Sequence, residues 1–114
     1  MNECIFVGRM ASDAAVNTTQ NGKSVATVSL AVDRRGSNGG VDFLRLVFWD
    51  KAADIIGQYG AKGKQLAVKA HATVRSYEKD GKKMSTTEFV VDQFEFLGSK
   101  KAENNNADTE EVPF

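Results

Sequence analysis

The sequence predicts an all-β fold, a five-stranded barrel with one short helix between the third and fourth strands. Several segments alternate apolar and polar residues with the period of two that is typical of a half-buried strand. One segment after the third predicted strand instead has apolar residues at helical spacing. The chain has 114 residues, 41% of them hydrophobic and 26% charged. We therefore expect one small domain with a single core.

The first predicted strand is Cys4–Met10, where β-favouring residues surround Gly8. A turn-rich stretch reaching Asn21-Gly22 predicts a loop. The second strand is Val25–Asp33, whose alternation directs one set of side chains inward, namely Ala26, Val28, Leu30 and Val32. The glycine-rich segment 34–40 ends this strand. It is either a mobile basic flap or an ordinary solvated hairpin loop.

The third predicted strand is Asp42–Trp49, which has apolar side chains on both faces. Leu44, Leu46 and Phe48 share the inward face, and this leaves on the outward face Phe43, Arg45, Val47 and Trp49.

A short helix is predicted over residues 51–59, with Asp50 placed to cap it. The apolar stripe of this helix has the spacing i, i+3, i+4 and i+7, and its members are Ala52, Ile55, Ile56 and Tyr59. We expect the stripe to pack on one end of the barrel, and Gly60 and Gly63 to end the helix.

The fourth predicted strand is Gln65–Arg75, with Leu66, Val68, Ala70, Ala72 and Val74 inward. A hairpin over residues 77–83 follows, with Asp80-Gly81 at its tip. Ser85–Val91 returns as the partner strand, and Asp92–Leu97 closes the folded part. This order of elements is that of an OB barrel, with an SH3-like or other small barrel as the structural alternative.

The charges are unevenly distributed, although 15 Lys and Arg balance 15 Asp and Glu. Every Lys and Arg lies at or before Lys101, whereas four acids follow it, namely Glu103, Asp108, Glu110 and Glu111. A basic body with an acidic tail is indicated, although this excess of charge is also ordinary for a soluble domain. Beyond Leu97 the composition cannot form a core, so we expect disorder up to the final Val112-Pro113-Phe114.

The residue types argue against catalysis. Cys4 and His71 are the only residues of their kinds, which is too few for a zinc site of cysteines and histidines. Both lie in alternating strand segments, so we expect Cys4 to be a buried strand thiol and His71 a surface residue. The aspartates at element ends follow no metal-binding motif, and no phosphate-binding glycine motif occurs. We therefore expect no enzyme activity, metal or cofactor. Without a membrane-spanning run or a signal peptide, a cytoplasmic protein is expected.

The outward aromatics of the third strand predict nucleic-acid binding. Phe43 and Trp49 are not needed for the core, and Arg45 lies between them. Unpaired bases stack on aromatic rings regardless of sequence, while an arginine can meet the phosphate between two bases. Tyr77, flanked by Arg75 and Lys79, extends the pattern. The alternatives are ordinary cross-strand packing and a dimer interface.

Several motifs in order resemble the bacterial and phage single-stranded DNA-binding (SSB) family. They cover Asn2 to about Leu97 and resume in the last seven residues. The matching stretches are Val7-Gly8-Arg9, Asn21-Gly22, Val25-Ala26, Ser29-Leu30-Ala31, Phe43–Lys51, Tyr59-x-x-Lys62-Gly63, Arg75-Ser76-Tyr77 and Thr87–Val91.

The resemblance implies a cytoplasmic protein that binds single-stranded DNA independently of base sequence and protects it at replication forks in the nucleoid. The implied assembly is a homotetramer, with a dimer as the alternative. The implied stacking residues are Phe43, Trp49 and Tyr77. The implied basic contacts are Arg34, Arg35, Arg45, Lys51, Lys62, Arg75 and Lys79. The implied tip that recruits replication, recombination and repair proteins consists of Asp108, Glu110, Glu111, Val112, Pro113 and Phe114.

The predicted organisation is a binding domain over residues 1–98, a linker over 99–107 and the tip over 108–114. The chain departs from the family near Gly36, where many relatives place a further stacking tryptophan and this sequence has only Arg34 and Arg35. Two other functions fit the pattern: an RNA-binding or primosome-type module, and a protein-interaction scaffold whose outward aromatics form a subunit interface.

Overall fold

The computed structural model describes residues 1–36 and 39–97. Their elements in chain order are β1 (Cys4–Met10), β2 (Ala15–Thr18), β3 (Ser24–Asp33), β4 (Val41–Trp49), α1 (Lys51–Tyr59), β5 (Gln65–Lys79) and β6 (Lys82–Leu97). The all-β fold and the helix between the third and fourth predicted strands are confirmed. No helix in these residues is both long and apolar enough to cross a membrane.

The strands form one sheet in the order β1-β5-β6-β4-β3-β2. A further pairing of β1 with β3, at Arg9↔Ala31 and Met10↔Leu30, closes the sheet into a barrel. The β4–β6 pairing is parallel, and the others are antiparallel. Gly8 lies at the closure, where an added Cβ atom would clash with the carbonyl oxygen of Ala31. The absence of a side chain at Gly8 therefore allows the two strands to approach.

The short strand β2 corrects the prediction of a loop between the first two strands. Its four residues are all exposed, and they pair with β3 from Ala15↔Thr27 to Thr18↔Ser24. Because backbone pairing defines this strand without burying a face, its sequence has no apolar alternation that could predict it. In the part of the chain that the structure describes, the five predicted strands are thus joined by this short additional one.

The core consists of the inward residues of the strands and one side of the helix. Its buried members include Met10, Ala26, Val28, Leu30, Leu46, Phe48, Ala53, Ile56, Leu66, Val68 and Ala70. The predicted inward parity is thus correct within the barrel. Cys4 is only half-buried.

The helix has its predicted bounds, but only half of the predicted stripe packs on the barrel. Ile56 is buried and Ala52 packs against the core as predicted, together with Ala53, whereas Ile55 and Tyr59 are exposed. Asp50 occupies the N-cap position as predicted, but its side chain makes no cap hydrogen bond. Instead, its backbone carbonyl accepts a hydrogen bond of 3.1 Å from the N–H of Asp54.

The β5–β6 hairpin extends well beyond the barrel. Its predicted turn is confirmed, with φ of 54° at Asp80 and 76° at Gly81, as a type I′ turn requires. The strands are continuous on either side of it, whereas the sequence had suggested separate segments. Val74 was expected to point into the core, but it is exposed because it lies where β5 has left the barrel.

Candidate nucleic-acid interface

Four neighbouring strands place their outward side chains on one surface, which we call the outer face. Directly paired residues in a ladder project to the same side of a sheet. The pairs Ala31↔Phe43, Ser29↔Arg45 and Val25↔Trp49 therefore join the outward residues of β3 and β4. On the other side of β4, Val47↔Val90 joins β6, and Arg75↔Thr86 joins β6 to β5.

Three aromatic side chains stand exposed on this face. The exposed fraction is 65% for Phe43, 41% for Trp49 and 43% for Tyr77. Phe43 and Trp49 lie at opposite ends of β4, and Tyr77 lies on the protruding part of β5. All three rings are therefore accessible to a ligand that crosses the sheet. Their role in stacking bases stays a prediction.

Val47 lies between Phe43 and Trp49 on the same face, yet it is buried. Its neighbours on the flanking strands are Thr27 and Val90, both partly buried. The middle of the outer face is thus a packed floor, with exposed rings at its edges. Outward parity alone could not distinguish this position from its exposed neighbours.

Two of the predicted phosphate contacts converge on a carboxylate that the analysis of residue types did not single out. Arg45 Nε donates a hydrogen bond of 3.0 Å to Glu88 Oε2, and Arg75 Nη2 lies 3.7 Å from Glu88 Oε1. Glu88 is only 6% exposed. This group forms because the non-local β4–β6 pairing places Glu88 beside Arg45, so no local sequence signal could have revealed it.

The loop arginines have different surroundings. Arg34 Nη2 lies 2.6 Å from Asp42 Oδ1, and its Nε donates a second hydrogen bond of 3.2 Å to the same oxygen. These hydrogen bonds lower the pKa of the Asp42 carboxyl group and raise that of Arg34. Arg35 is exposed. Arg34 is therefore already paired, and a phosphate would have to compete with Asp42 for it.

The predicted lysines are dispersed around the face. Lys51 follows Trp49 by two residues at the start of α1, and Lys79 follows Tyr77 by two residues on β5. Lys62 lies in the α1–β5 loop, where its backbone N–H donates a hydrogen bond of 2.8 Å to Asp13 Oδ1. Lys62 is thus at the barrel end that carries the helix. All three lysines are exposed.

The structure adds Met84 to the outer face. Met84 pairs directly with Tyr77 across the hairpin and is itself exposed. A thioether beside an aromatic ring adds a polarisable apolar surface to the platform. The sequence reading missed Met84 because its position depends on the register that the Asp80-Gly81 turn sets.

The remaining titratable side chains near the face form no recognisable site. His71 Nδ1 lies 3.0 Å from Asp92 Oδ1, and both side chains are substantially exposed. Among residues 1–36 and 39–97, no group of three or more His, Cys, Asp or Glu side chains could hold a metal ion. The predicted linker (99–107) and tip, with Asp108, Glu110, Glu111, Val112, Pro113 and Phe114, lie outside the described residues.

Comparison with known proteins identifies relatives over most of the chain. The Single-strand binding protein family matches residues 1–97. Single-stranded DNA-binding protein 2 of Streptococcus agalactiae is 34% identical, over 99% of this chain and 98% of its own. The single-stranded DNA-binding protein of Clostridium tetani is 38% identical, over 90% of this chain and 75% of its own.

A solved structure has a similar fold. It is described as the Plasmodium falciparum SSB complex with ssDNA, and it aligns with a TM-score of 0.80 at 23% identity. The alignment covers 86% of this chain and 96% of that one. At this identity the likeness concerns the fold, which is thereby the SSB-type OB barrel.

Proposed function

Because the chain belongs to the single-strand binding protein family, a family of non-enzymatic proteins that bind single-stranded DNA, we propose that it binds and protects such DNA without regard to base sequence. The bases stack on Phe43, Trp49 and Tyr77. The observation that carries this proposal is the exposure of three aromatic rings on one outer face, alongside a core that is already complete without them. Stacking is tolerant of sequence because every base has a π-face.

In this proposal, the basic side chains around these rings contact the phosphates of the DNA. Arg45 lies on β4 between Phe43 and Trp49, and Arg75 lies on β5 two residues before Tyr77. Lys51 and Lys79 follow Trp49 and Tyr77 by two residues along the chain. Arg34, Arg35 and Lys62 are peripheral contacts in this proposal. A DNA strand that crosses the outer face meets a ring and a cation in alternation.

Self-association is a further part of the proposal, with a homotetramer as the expected assembly. The outward side of β1 exposes Ile5 and Val7, with exposed fractions of 73% and 49%. Neighbouring apolar side chains on one strand are typical of a protein interface. The tip at residues 108–114 would recruit replication, recombination and repair proteins through the aromatic ring of Phe114 and the acids that precede it.

The experiment uses Trp49, the only tryptophan of the chain, as its own reporter. Titration of the full chain with oligo-dT should quench Trp49 emission. The logarithm of affinity should fall linearly with the logarithm of salt concentration, with a slope of about −0.7 for each phosphate neutralised. Unchanged emission together with no mobility shift would contradict the proposal.

Competition with single-stranded RNA and with duplex DNA of equal length provides the control for the ligand. We expect neither to displace oligo-dT at equimolar concentration. Preferential displacement by RNA would instead indicate an RNA-binding module on the same barrel.

A further inference from the structure

We infer that Glu88 is an internal anion of the outer face that occupies the Arg45–Arg75 pair and limits it to neutralising about one phosphate. The inference deepens the proposed function and rests on it. Glu88 would thus be a positioning residue that sets how strongly DNA affinity depends on salt.

The contacts place one carboxylate against two guanidinium groups. Oε2 of Glu88 accepts the hydrogen bond from Arg45 Nε, and Oε1 faces Arg75 Nη2. The glutamate side chain is 8% exposed, whereas those of Arg45 and Arg75 are 56% and 66% exposed. The anion is therefore under the cations, and the outer edges of both guanidinium groups remain open to solvent.

This burial makes the pairing persistent. A buried carboxylate that loses its partners is strongly unfavourable, because neither water nor another cation replaces them. Arg45 and Arg75 cannot both leave Glu88 to neutralise phosphates. With Glu88 charged, the three side chains together carry one net positive charge rather than two.

The group also lies at the centre of the proposed DNA path. β6 lies between β4, which carries Phe43 and Trp49, and β5, which carries Tyr77. Glu88 pairs directly with Thr73 of β5 and lies next to the residues of β6 that pair with β4. A DNA strand that runs from Trp49 on β4 to Tyr77 on β5 therefore crosses β6 and passes close to this group.

The test is the salt dependence of oligo-dT binding by the full chain and by Glu88→Gln. Glutamine keeps the size of the side chain and an oxygen that can accept from Arg45, but it removes the charge. The slope of the logarithm of affinity against the logarithm of salt concentration should steepen by about 0.7, because one more cation becomes available to a phosphate. The ratio of affinities at 50 and 200 mM salt should therefore grow by about 2.6-fold.

Glu95→Gln is the matched control. Glu95 lies on the same strand and is exposed, seven residues and roughly 23 Å from Glu88. It changes the net charge equally but lies beside neither arginine of the pair. We expect its slope to equal that of the parent chain, which separates a local effect from one of total charge.

Without the carboxylate, Arg45 and Arg75 would repel each other, and thermal melting would show whether this repulsion unfolds Glu88→Gln. A second variant removes that repulsion and keeps the inference testable. The double variant Glu88→Gln/Arg75→Gln restores one net positive charge to the group, so its slope should equal that of the parent. If Glu88 did not restrain the arginines, the double variant should instead lose about 0.7 of slope through the missing Arg75.

The possible outcomes separate this inference from the proposed function. An unchanged or shallower slope for Glu88→Gln in a folded protein would overturn the role of Glu88, although the parent would still bind DNA. Failure of the parent chain to bind oligo-dT would instead overturn the proposed function.

Discussion

Alternate residues of β4 have opposite surroundings. Leu46 and Phe48 are fully buried, whereas Phe43 and Trp49 leave a large part of their rings in water. Burial of an aromatic ring would stabilise the fold by about 2–3 kcal/mol, so rings exposed in the monomer forgo that contribution. A ligand that covers the rings on binding gains this burial energy as affinity. Their exposure therefore supports a contact role.

Substitution of the exposed aromatics measures this contribution. Each of Phe43→Ala, Trp49→Ala and Tyr77→Ala should weaken oligo-dT binding by about 1–3 kcal/mol, or roughly 5- to 150-fold in Kd, because one stacking contact is lost. Fluorescence anisotropy of labelled oligo-dT measures all three variants, since Trp49→Ala removes the intrinsic reporter. The melting temperature should change little, because these rings support no core contact.

Tyr59→Ala is the control for this series. Tyr59 is 58% exposed but lies on α1, outside the strands of the outer face. Its removal should leave the affinity unchanged. An equal loss for Tyr59 and Trp49, or no loss for any of the three, would contradict stacking on the outer face.

The individual candidate residues were partly predictable from the sequence. Period-two alternation placed Phe43 and Trp49 on the outward face, because strand geometry fixes side-chain direction locally. It could not show that Val47 is buried or that Glu88 joins Arg45. Those features depend on which strand lies beside β4, and a parallel pairing between segments some forty residues apart leaves no local pattern.

At the level of elements, the most predictable features have a local cause. The bounds of α1 and the Asp80-Gly81 turn follow from helical spacing and from a backbone conformation that few residue pairs adopt. The buried side of the helix was less predictable. Gly57 packs so closely against Val16 that an added Cβ would lie 2.6 Å from a methyl carbon of Val16. Contact with β2, a strand without a sequence signature, thus contributes to how α1 lies on the barrel.

The hairpin turn provides a prediction at this scale. Gly81→Ala places a Cβ on a residue with φ of 76°, which costs about 1–2 kcal/mol. The β5–β6 hairpin should fray from its tip, and amide hydrogen exchange from Tyr77 to Met84 should become faster. Because fraying disorders Tyr77, oligo-dT affinity should fall toward that of Tyr77→Ala. Hydrogen exchange and anisotropy measure the two effects.

Gly22→Ala is the matched control for the hairpin. Gly22 has φ of 83° and, like Gly81, open space around an added Cβ, but it lies in the β2–β3 turn, which carries none of the three aromatics. The strain is similar, so stability should fall comparably while affinity stays unchanged. Unaltered amide hydrogen exchange in Gly81→Ala would show that the order of the β5–β6 hairpin does not depend on its turn.

For the whole molecule, the distribution of exposed apolar side chains distinguishes two surfaces. The aromatics of the outer face have basic neighbours, which suit an anionic ligand. On β1, Ile5 and Val7 are instead bordered by an ion pair, in which Lys69 Nζ lies 2.9 Å from Glu3 Oε1, and by Arg9, whose Nη1 donates a hydrogen bond of 3.2 Å to the carbonyl oxygen of Gly63. An apolar centre with a paired polar rim suits another protein surface better than a phosphate backbone.

Charged substitution on β1 tests whether this surface joins copies of the chain. Ile5→Lys should reduce the mass in solution from that of a tetramer to that of a smaller species, because assembly would bury an unpaired ammonium group. Light scattering after size-exclusion chromatography measures the change. Ile55→Lys is the control, since Ile55 is also exposed but lies on α1. Were the mass of Ile5→Lys to equal that of the parent and of Ile55→Lys, β1 would not be the assembly surface.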